Sequence, residues 1–422
     1  MTTVAPIGAD PLDVHALVAR RRPGYSLEAA FYTDPQIFDL DIAAVFARNW
    51  LFVATEAEIA EPGDFVTVAV GPYSVIVLRD DDEVVRAFHN VCRHRGARIL
   101  NDQAGSVGNI VCGYHQWTYA TDGSLLHAGQ QPAPFDKSCF GLKPVHVRLL
   151  AGLVFLSLAA EPPPDFDDVV ARVTPYLLPH QLHRTKVAAQ LDLVEEANWK
   201  VVMENNRECY HCEAGHPELT CTFFPTYGYE EDQLPARLRP AHERYLQADA
   251  DLQRLCRDRG IPYATIEELD ARDSGFRVQR EALDGAGESY TIDGRSACRR
   301  LLGDLDSPRL GRASLHTQPN AWFHFLADHA VTFALLPIAS DRTLLRTTWL
   351  VHEDAVEGRD YDIDSLTHVW RQTNTQDSQI CARAYAGVTS PAYEPGPYAP
   401  SEGQVDAFVT WYVNRVREHL TR

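Results

Sequence analysis

Between residues 46 and 160 the chain contains several short apolar runs rich in β-branched residues. They lie at residues 65–70, 73–78, 84–88 and 153–158. Runs of this length, separated by turn residues such as those at 80–82, predict β-strands joined in hairpins. The last run is followed by Pro162, Pro163 and Pro164, which indicate a domain boundary. We therefore expect a small all-β domain at residues 46–160.

The rest of the chain mixes helical and strand patterns. Helical spacing occurs at residues 199–212 and 362–386, and strand-like runs occur at 322–337 and 343–351. Residues 234–302 are charged and without a clear pattern. Because a β domain precedes this mixed part, we predict an α+β fold: a small β domain plus a larger domain with an antiparallel sheet flanked by helices. We place the larger domain at 161–422 and assign to it a helical N-terminal segment, 1–45.

Length and charge narrow the function classes. A chain of 422 residues exceeds one ordinary domain, which agrees with two domains. Its formal net charge of −19 argues against a nucleic-acid partner, because no basic surplus exists to neutralise phosphates. No apolar run approaches the ~18 residues that cross a membrane. We therefore expect neither nucleic acid nor membrane as a partner.

The N-terminal sequence and the cysteines suggest a compartment. Pro23 follows Arg20-Arg21-Arg22 where a twin-arginine signal would have an apolar segment. The chain is therefore expected to be cytoplasmic. Its nine cysteines are accordingly expected to be thiols and metal ligands rather than a disulfide framework.

Cysteine and histidine alternate in the most specific motif of the chain. Cys92 and His94 are followed, after seventeen residues, by Cys112 and His115. A structural zinc site could use such a set, but zinc fingers usually pair Cys with Cys and His with His. One thiolate and one imidazole from each half is typical of a Rieske [2Fe–2S] cluster, in which two cysteines hold one iron and two histidines hold the other. The spacing favours that cluster.

A second candidate metal site begins in the helix predicted at 199–212. His211 and His216 would diverge by about 140° on an unbroken helix. Gly215 and Pro217 interrupt the helix, so the two imidazoles can face one point. Two histidines and one carboxylate form the facial triad of non-haem iron(II) oxygenases. A carboxylate is therefore required to complete this interpretation.

The spacing leaves the third ligand open. Asp377 lies on the apolar stripe of the helix predicted at 362–386, where an unpaired carboxylate is costly. Glu213 and Glu218 lie nearer in sequence to the histidines and compete with it. Cys209 and Cys212 form a Cys-x-x-Cys motif, which we interpret as packing beside the metal because redox dithiols usually begin a helix.

Together these motifs resemble the large subunit of Rieske non-haem iron oxygenases, the ring-hydroxylating dioxygenase superfamily. The resemblance covers most of the chain, from about Gly24 to Leu420. It implies one [2Fe–2S] Rieske cluster per subunit, bound by Cys92, His94, Cys112 and His115, and one mononuclear Fe(II), bound by His211, His216 and Asp377. It thereby favours Asp377 over the rival carboxylates. The small domain would be the Rieske domain, and the larger one the catalytic domain.

The resemblance also implies partners. In this family the cluster of one subunit lies close to the mononuclear iron of its neighbour, with an acidic residue between them, which implies a homotrimer. Glu208 matches that residue, and the neighbouring subunit's His115 is its expected partner. The chain has no flavin or nicotinamide motif, so electrons are expected from NAD(P)H through a separate flavin- or ferredoxin-type reductase.

A narrower resemblance is to the glycine betaine and choline oxygenase branch. It rests on residues 204–212, 325–329, 349–352 and 390–398. It implies that O2 and reductase-supplied electrons hydroxylate an N-methyl group of a quaternary ammonium compound. Glycine betaine would give dimethylglycine and formaldehyde. Choline, carnitine and stachydrine are alternative substrates, and ring hydroxylation of an aromatic compound is an alternative reaction.

Substrate residues are the least determined part of the prediction. A quaternary ammonium has no hydrogen-bond donor, so aromatic faces and carboxylates should bind it. The candidates are Asn205, Trp322, Phe323, Phe325 and Phe333. Because side chains alternate along a strand, Trp322 and Phe323 face opposite sides and cannot both line one pocket. An electron carrier and a zinc-bound interaction module remain as alternatives; the length and second metal motif argue against the first, and iron content would exclude the second.

Overall fold

The computed structural model describes residues 12–226, 229 and 234–421. The first eleven residues of the predicted segment 1–45 lie outside the described residues, as do a few positions of the predicted domain 161–422. Two seven-stranded sheets, each antiparallel, dominate the architecture. The predicted α+β class is confirmed.

The strands of the small domain form one large and one small sheet. They are β1 (Leu51–Thr55), β2 (Asp64–Val70), β3 (Tyr73–Arg79), β4 (Val85–His89), β5 (Ala104–Ser106), β6 (Ile110–Val111), β7 (Thr118–Tyr119), β8 (Leu125–His127), β9 (Pro144–Leu150) and β10 (Leu153–Ser157). The large sheet has the order β1-β10-β9-β4-β3-β2-β5, and β6 to β8 form a separate meander. Side chains alternate on β2, so Phe65 faces the core under the meander and Val66 faces the opposite core.

The second large sheet follows in the larger domain. Its strands are β11 (Thr185–Glu195), β12 (Ile266–Glu268), β13 (Phe276–Glu281), β14 (Arg312–Thr317), β15 (Ala321–Phe325), β16 (Ala330–Ala339) and β17 (Arg342–His352), in the order β11-β17-β16-β15-β14-β13-β12. The predicted run at 322–337 is two strands joined by a turn rather than one. The unpatterned region 234–302 contains two strands of this sheet that the sequence did not indicate.

Helices cover this sheet. They are α1 (Val14–Ala19), α2 (Ala29–Thr33), α3 (Pro35–Asp41), α4 (Phe166–Leu177), α5 (Trp199–Asn206), α6 (Cys212–Gly215), α7 (Arg239–Arg259), α8 (Ile363–Val388) and α9 (Gly403–Thr421). The buried Asp41 carboxylate forms an ion pair with Lys200 and accepts hydrogen bonds from Trp199 and Tyr412. These contacts join α3 and α9 to the start of α5, which leads to the predicted iron site.

Membrane insertion of a helix is not supported. Across the residues that the structure describes, no helix combines the length and apolar character needed to cross a bilayer.

Candidate metal centres

Two loops of the small domain bring the first four predicted ligands together. Cys92 and His94 follow β4, and Cys112 and His115 lie between β6 and β7. Both thiols are buried, and the two imidazole centroids are 4.7 Å apart. Burial raises the pKa of the Cys112 thiol, and the adjacent Cys92 raises it further, while backbone amides act against both. Two thiols and two imidazoles therefore converge on one point.

The chemistry of this donor set fits a Rieske cluster. Among the residues that the structure describes, the buried Nδ1 of His94 has no hydrogen-bond partner, as expected of a nitrogen that binds metal. The backbone amides of Tyr114 and His115 donate towards the sulfur of Cys112, and the Tyr119 hydroxyl lies 3.3 Å from the sulfur of Cys92. Donors to sulfur stabilise the more negative, reduced state of such a cluster.

This contact gives a first prediction. Tyr119→Phe removes the hydroxyl beside the sulfur of Cys92 and should lower the reduction potential of the cluster. Loss of one hydrogen bond, worth about 1 kcal/mol, corresponds to roughly 40 mV for a one-electron couple. A redox titration followed by electron paramagnetic resonance measures the shift. Tyr73→Phe, in the same domain with its ring against His89, is the control. An unchanged potential in Tyr119→Phe would contradict the assignment of the donor.

The second predicted site is built on a break between two helices. The prediction of one helix over 199–212 is wrong, because α5 ends at Asn206. The Glu208 carboxylate accepts hydrogen bonds from the backbone amides of Tyr210 and His211, which stabilises a turn instead. The single helical turn α6 follows, with His211 immediately before it and His216 immediately after it. The histidines thus lie at the two ends of one turn, and their Nε2 atoms are 3.0 Å apart.

Asp377 on α8 completes this group. Its Oδ1 lies 3.3 Å from Nε2 of His211 and 3.0 Å from Nε2 of His216. This oxygen is buried and makes no hydrogen bond of normal geometry with any residue in the described part of the chain. Of the rival carboxylates, Glu213 pairs with Arg237 and Glu218 accepts a hydrogen bond from Gln376. The geometry therefore favours Asp377, and two imidazoles with one carboxylate suit a facial iron site.

Neighbouring side chains orient both imidazoles. Nδ1 of His211 donates to Glu208, and Nδ1 of His216 donates to Gln376 at 2.9 Å. Gln376 is in turn held by Glu218. Burial lowers the pKa of His211, but Asp377 and Glu208 outweigh it and raise that pKa to about 9. With each outer nitrogen held in this way, both Nε2 atoms face the metal position, where a bound cation would replace the proton on Nε2.

The two cysteines of the Cys-x-x-Cys motif are joined to each other. Cys209 and Cys212 form a disulfide, so the expectation that all nine cysteines are thiols or metal ligands is wrong for this pair. Cys212 lies within 4.8 Å of ligand atoms of His211 and His216. Its sulfur is bonded to Cys209, however, and offers no thiolate. Asp377 is therefore a better third ligand than Cys212.

A cavity of about 200 Å³ opens beside the triad. Besides the three predicted iron ligands it is lined by Asn205, Arg207, Phe223, Arg277, Gln279, Arg312, Ser314, His316, His324 and Trp370, among others. Asn205, a predicted substrate residue, lies with its Nδ2 3.4 Å from Nε2 of His211. The cavity therefore has arginines, histidines and aromatic rings in its wall.

The four predicted aromatic residues do not line this cavity. Trp322 stacks on Phe333, and Phe323 stacks on Phe325 on the opposite face of the sheet. Phe323 also packs against Phe52 of the small domain. All four are buried in the core, because β15 and β16 lie inside the sheet with both faces covered. The prediction that a ring of this set forms the cavity wall is corrected accordingly.

Most residues of the cavity wall were not predicted from the sequence. Trp370 lies on the predicted stripe of α8, two turns before Asp377, and could have been found from that spacing. Arg277 lies on β13 and Arg312 on β14, and the sequence pattern did not predict either strand. On that sheet face Arg277 is paired with His316, and Gln279 with Ser314. One polar face of two adjacent strands thus forms the cavity wall.

A buried carboxylate behind the triad gives a second prediction. Glu195 is 1% exposed, and neither of its carboxylate oxygens has a partner of hydrogen-bond geometry within the described ranges. Burial and the nearby Asp377 raise the pKa of Glu195 to about 8, and the Cys381 thiol offsets this only in part. The unfolded carboxyl ionises near pH ~4.3, so between the two pKa values the unfolded state has lost a proton that the folded state keeps. Stability should therefore fall as the pH rises through this window.

The test compares Glu195→Gln with the wild type by thermal unfolding at pH 5 and pH 9. The variant should gain a few kcal/mol relative to the wild type at pH 9 and much less at pH 5, since pH 5 lies near the lower end of the window and little of the penalty has built up there. Glu196→Gln, at the exposed neighbouring position, should show no such difference. An equal effect of Glu195→Gln at both pH values would refute the raised pKa.

Comparison with known proteins agrees with this geometry. The Rieske [2Fe-2S] domain model matches residues 49–145, and the model of the ring hydroxylating alpha subunit (catalytic domain) matches residues 182–418. The chain is 42% identical over 418 residues to the glycine betaine monooxygenase oxygenase subunit of Chromohalobacter salexigens, covering 97% of this chain and 91% of the relative. It is 40% identical over 413 residues to that of Pseudomonas aeruginosa strain UCBPP-PA14, covering 96% and 92%.

The fold also matches a solved structure. The quaternary ammonium Rieske monooxygenase CntA in complex with substrate L-carnitine superposes with a TM-score of 0.67 at 21% identity, covering 94% of this chain and 97% of that chain. Matches to both domains exclude an electron carrier and a zinc-bound interaction module. The chain belongs to the Rieske non-haem iron oxygenase family, in its glycine betaine monooxygenase-like branch.

Proposed function

We propose that the protein hydroxylates an N-methyl group of glycine betaine, and that the product carbinol releases formaldehyde to leave dimethylglycine. In this proposal His211, His216 and Asp377 hold the mononuclear iron, and Cys92, His94, Cys112 and His115 hold the cluster. The bound metals supply dioxygen activation and electron transfer. The chain's own residues bind the substrate, orient it and hold the two histidine ligands.

The size of the cavity supports a small substrate. Its volume of about 200 Å³ is below the ~300–1,000 Å³ common for drug-sized ligands. Glycine betaine has a trimethylammonium group at one end and a carboxylate at the other. A small cavity with one aromatic region and one cationic region would bind both ends at once.

The aromatic region comes from Trp370 and His324, which both line the cavity; the ring of Phe223 is covered by the Arg312 guanidinium, 4.2 Å from its centroid. The rings of Trp370 and His324 stack with centroids 4.7 Å apart. Burial lowers the pKa of His324 well below its usual value, so its imidazole is neutral and does not repel a cation. Aromatic faces attract a quaternary ammonium by cation–π interaction. Trp370 is also on the same helix as Asp377, which places this region beside the triad.

The cationic region contains Arg207, and this residue carries the proposal. Arg207 is 2% exposed, and its guanidinium bonds only neutral oxygens of Asn206, Thr317 and Gln318. In the described parts of the chain no carboxylate pairs with it. Burial and Arg277 lower its pKa to about 9, so it is still charged at neutral pH. A buried cation without an anion is costly, and a substrate carboxylate in the cavity would neutralise it.

The other two arginines already have partners. Arg277 pairs with Glu267, and Arg312 pairs with Glu281. Arg277 still contributes positive potential to the cavity. Burial lowers the pKa of His316 well below its usual value, and Arg207 and Arg277 lower it further. The carboxylate-binding role is therefore assigned to Arg207. Choline has no carboxylate, so this assignment favours betaines over choline.

Assembly and electron supply extend the proposal. The relatives are oxygenase subunits, so a separate reductase is required. We propose that NAD(P)H supplies the electrons to this reductase. We also propose that the protein is cytoplasmic, since NAD(P)H is available there. We further propose a homotrimer in which Glu208, which bonds His211, is approached by the neighbouring subunit's His115. His115 and Tyr114 are exposed, which supports such an approach.

Competition among four compounds tests the substrate. Glycine betaine, choline, carnitine and stachydrine are supplied with a generic reductase, and formaldehyde release gives the ratio of kcat/KM values. Glycine betaine should be preferred over each of the others. A preference of tenfold or more for choline or a bulkier betaine would overturn the substrate and leave the oxygenase family unchanged.

A further inference from the structure

The Cys209–Cys212 disulfide encloses one of the proposed iron ligands, since His211 lies between the two cysteines in sequence. Cys209 and Cys212 both line the cavity. Cys212 is 6% exposed, while Cys209 is only half-buried. The sulfur of Cys212 and a ring nitrogen of each histidine ligand lie within 4.8 Å of one another. The sulfur of Cys212 is therefore close enough to be a fourth metal ligand, but its bond to Cys209 prevents it from acting as a thiolate.

The oxidation state of this sulfur decides whether it can bind metal. A disulfide sulfur carries no negative charge, whereas a thiolate is a strong ligand for zinc and similar cations. Two histidines, one carboxylate and one thiolate would complete a four-coordinate site. Four protein ligands are typical of closed structural zinc sites, while catalytic sites keep a position open.

We propose that Cys212 is a latent fourth metal ligand, masked by its disulfide to Cys209, and that reduction converts the open iron site into a closed site that prefers zinc-class cations. This inference rests on the triad of the proposed function. It assigns to the Cys-x-x-Cys motif the task of keeping one coordination position of this site open while the disulfide is intact.

Cys209 has the more accessible sulfur of the disulfide, and reduction therefore begins there. A thiolate of a dithiol reductant attacks Cys209 from the cavity, because an accessible sulfur is attacked more readily. The S–S bond breaks, and Cys212 leaves as a thiolate. The second thiol of the reductant then displaces Cys209 and forms the reductant's own disulfide. The reductant gives up two electrons and two protons; Cys209 takes one proton, and the other is released to solvent because metal binding keeps Cys212 as a thiolate.

Zinc K-edge X-ray absorption tests the proposal, because the cluster contains no zinc and does not contribute. The cluster-containing protein is loaded with zinc at the mononuclear site and measured before and after reduction with a water-soluble phosphine. Zn–S and Zn–N distances differ, at ~2.3 Å and ~2.0–2.1 Å. The oxidised protein should show nitrogen and oxygen ligands only. The reduced protein should gain one sulfur and bind zinc at least tenfold more tightly.

Two variants distinguish the role of Cys212 from that of Cys209. Cys209→Ser leaves Cys212 as a free thiol, so it should show the sulfur ligand without any reductant. Cys212→Ser should never show it. A purely structural disulfide would change the thermal stability of both variants but add no sulfur to the zinc site.

Failure of this inference can be distinguished from failure of the proposed iron site. Zinc bound by histidine nitrogens without sulfur in both the reduced wild type and Cys209→Ser would overturn this inference and leave the triad intact. A sulfur ligand that persists in Cys212→Ser would assign the role to Cys209 and overturn it as well. Zinc content unaffected by Asp377→Ala would refute the triad, and the inference with it.

Discussion

Replacing Asp377 by alanine should abolish turnover and deplete the mononuclear iron, while the visible absorption of the cluster stays intact. Asp377 Oδ1 lies within 3.3 Å of both histidine Nε2 atoms and is the carboxylate of the proposed triad. Loss of a residue that only orients a ligand already weakens metal binding by ~10–100-fold, so loss of a ligand should exceed this. Iron analysis, the cluster spectrum and formaldehyde release measure the three effects.

The control is Asp364→Ala on the same helix, whose side chain is 86% exposed. It should retain both iron and activity. If Asp377→Ala kept its iron and its turnover, the third ligand would be another carboxylate, and Glu213 and Glu218 would be tested next.

Replacing Arg207 by glutamine should reduce kcat/KM for glycine betaine by roughly 30- to 4,000-fold. Removing one partner of a buried charge pair costs about 2–5 kcal/mol, and each 1.4 kcal/mol is tenfold. Choline has no carboxylate, so its inhibition constant against glycine betaine should change by only a few-fold. Arg207→Lys keeps a charge and should restore part of the lost activity.

Arg280→Gln is a matched control for this experiment. Arg280 is also buried, and its hydrogen bonds also go to neutral oxygens, those of Leu310 and Tyr176. It is not among the residues of the cavity wall. A similar loss of stability is expected, without the change in selectivity. Equal losses for betaine and choline in Arg207→Gln would show that Arg207 supports the fold rather than the carboxylate.

The candidate metal ligands could be grouped from sequence because most of them lie in short motifs. Cys92 with His94 and Cys112 with His115 each occupy one loop, so spacing alone identified the pairs. Asp377 was harder, because its distance from the histidines depends on how α8 packs. Helical periodicity indicated that it faces inward, and the resemblance to a known family favoured it over nearer carboxylates.

The cavity could not be predicted in the same way. Arg277 and Arg312 converge through the pairing of β13 with β14, and local sequence does not reveal that pairing. Phe323 and Phe325 had the right chemistry for a cation site, but they lie on the face of the sheet that packs against the small domain. The break after α5 depends on the carboxylate of Glu208 bonding two backbone amides, which competes with helix continuation.

The triad joins distant parts of the polypeptide. His216 ends the turn after α5, and Asp377 lies roughly 160 residues later in α8. A cation held by both acts as a cross-link that closes a long loop, and such closure restricts the unfolded chain. Because the site forms only in the folded chain, binding energy for the cation adds directly to folding free energy. A chelator should therefore lower the melting temperature of the protein as well as its activity, and iron supply during synthesis should determine how much folded enzyme accumulates.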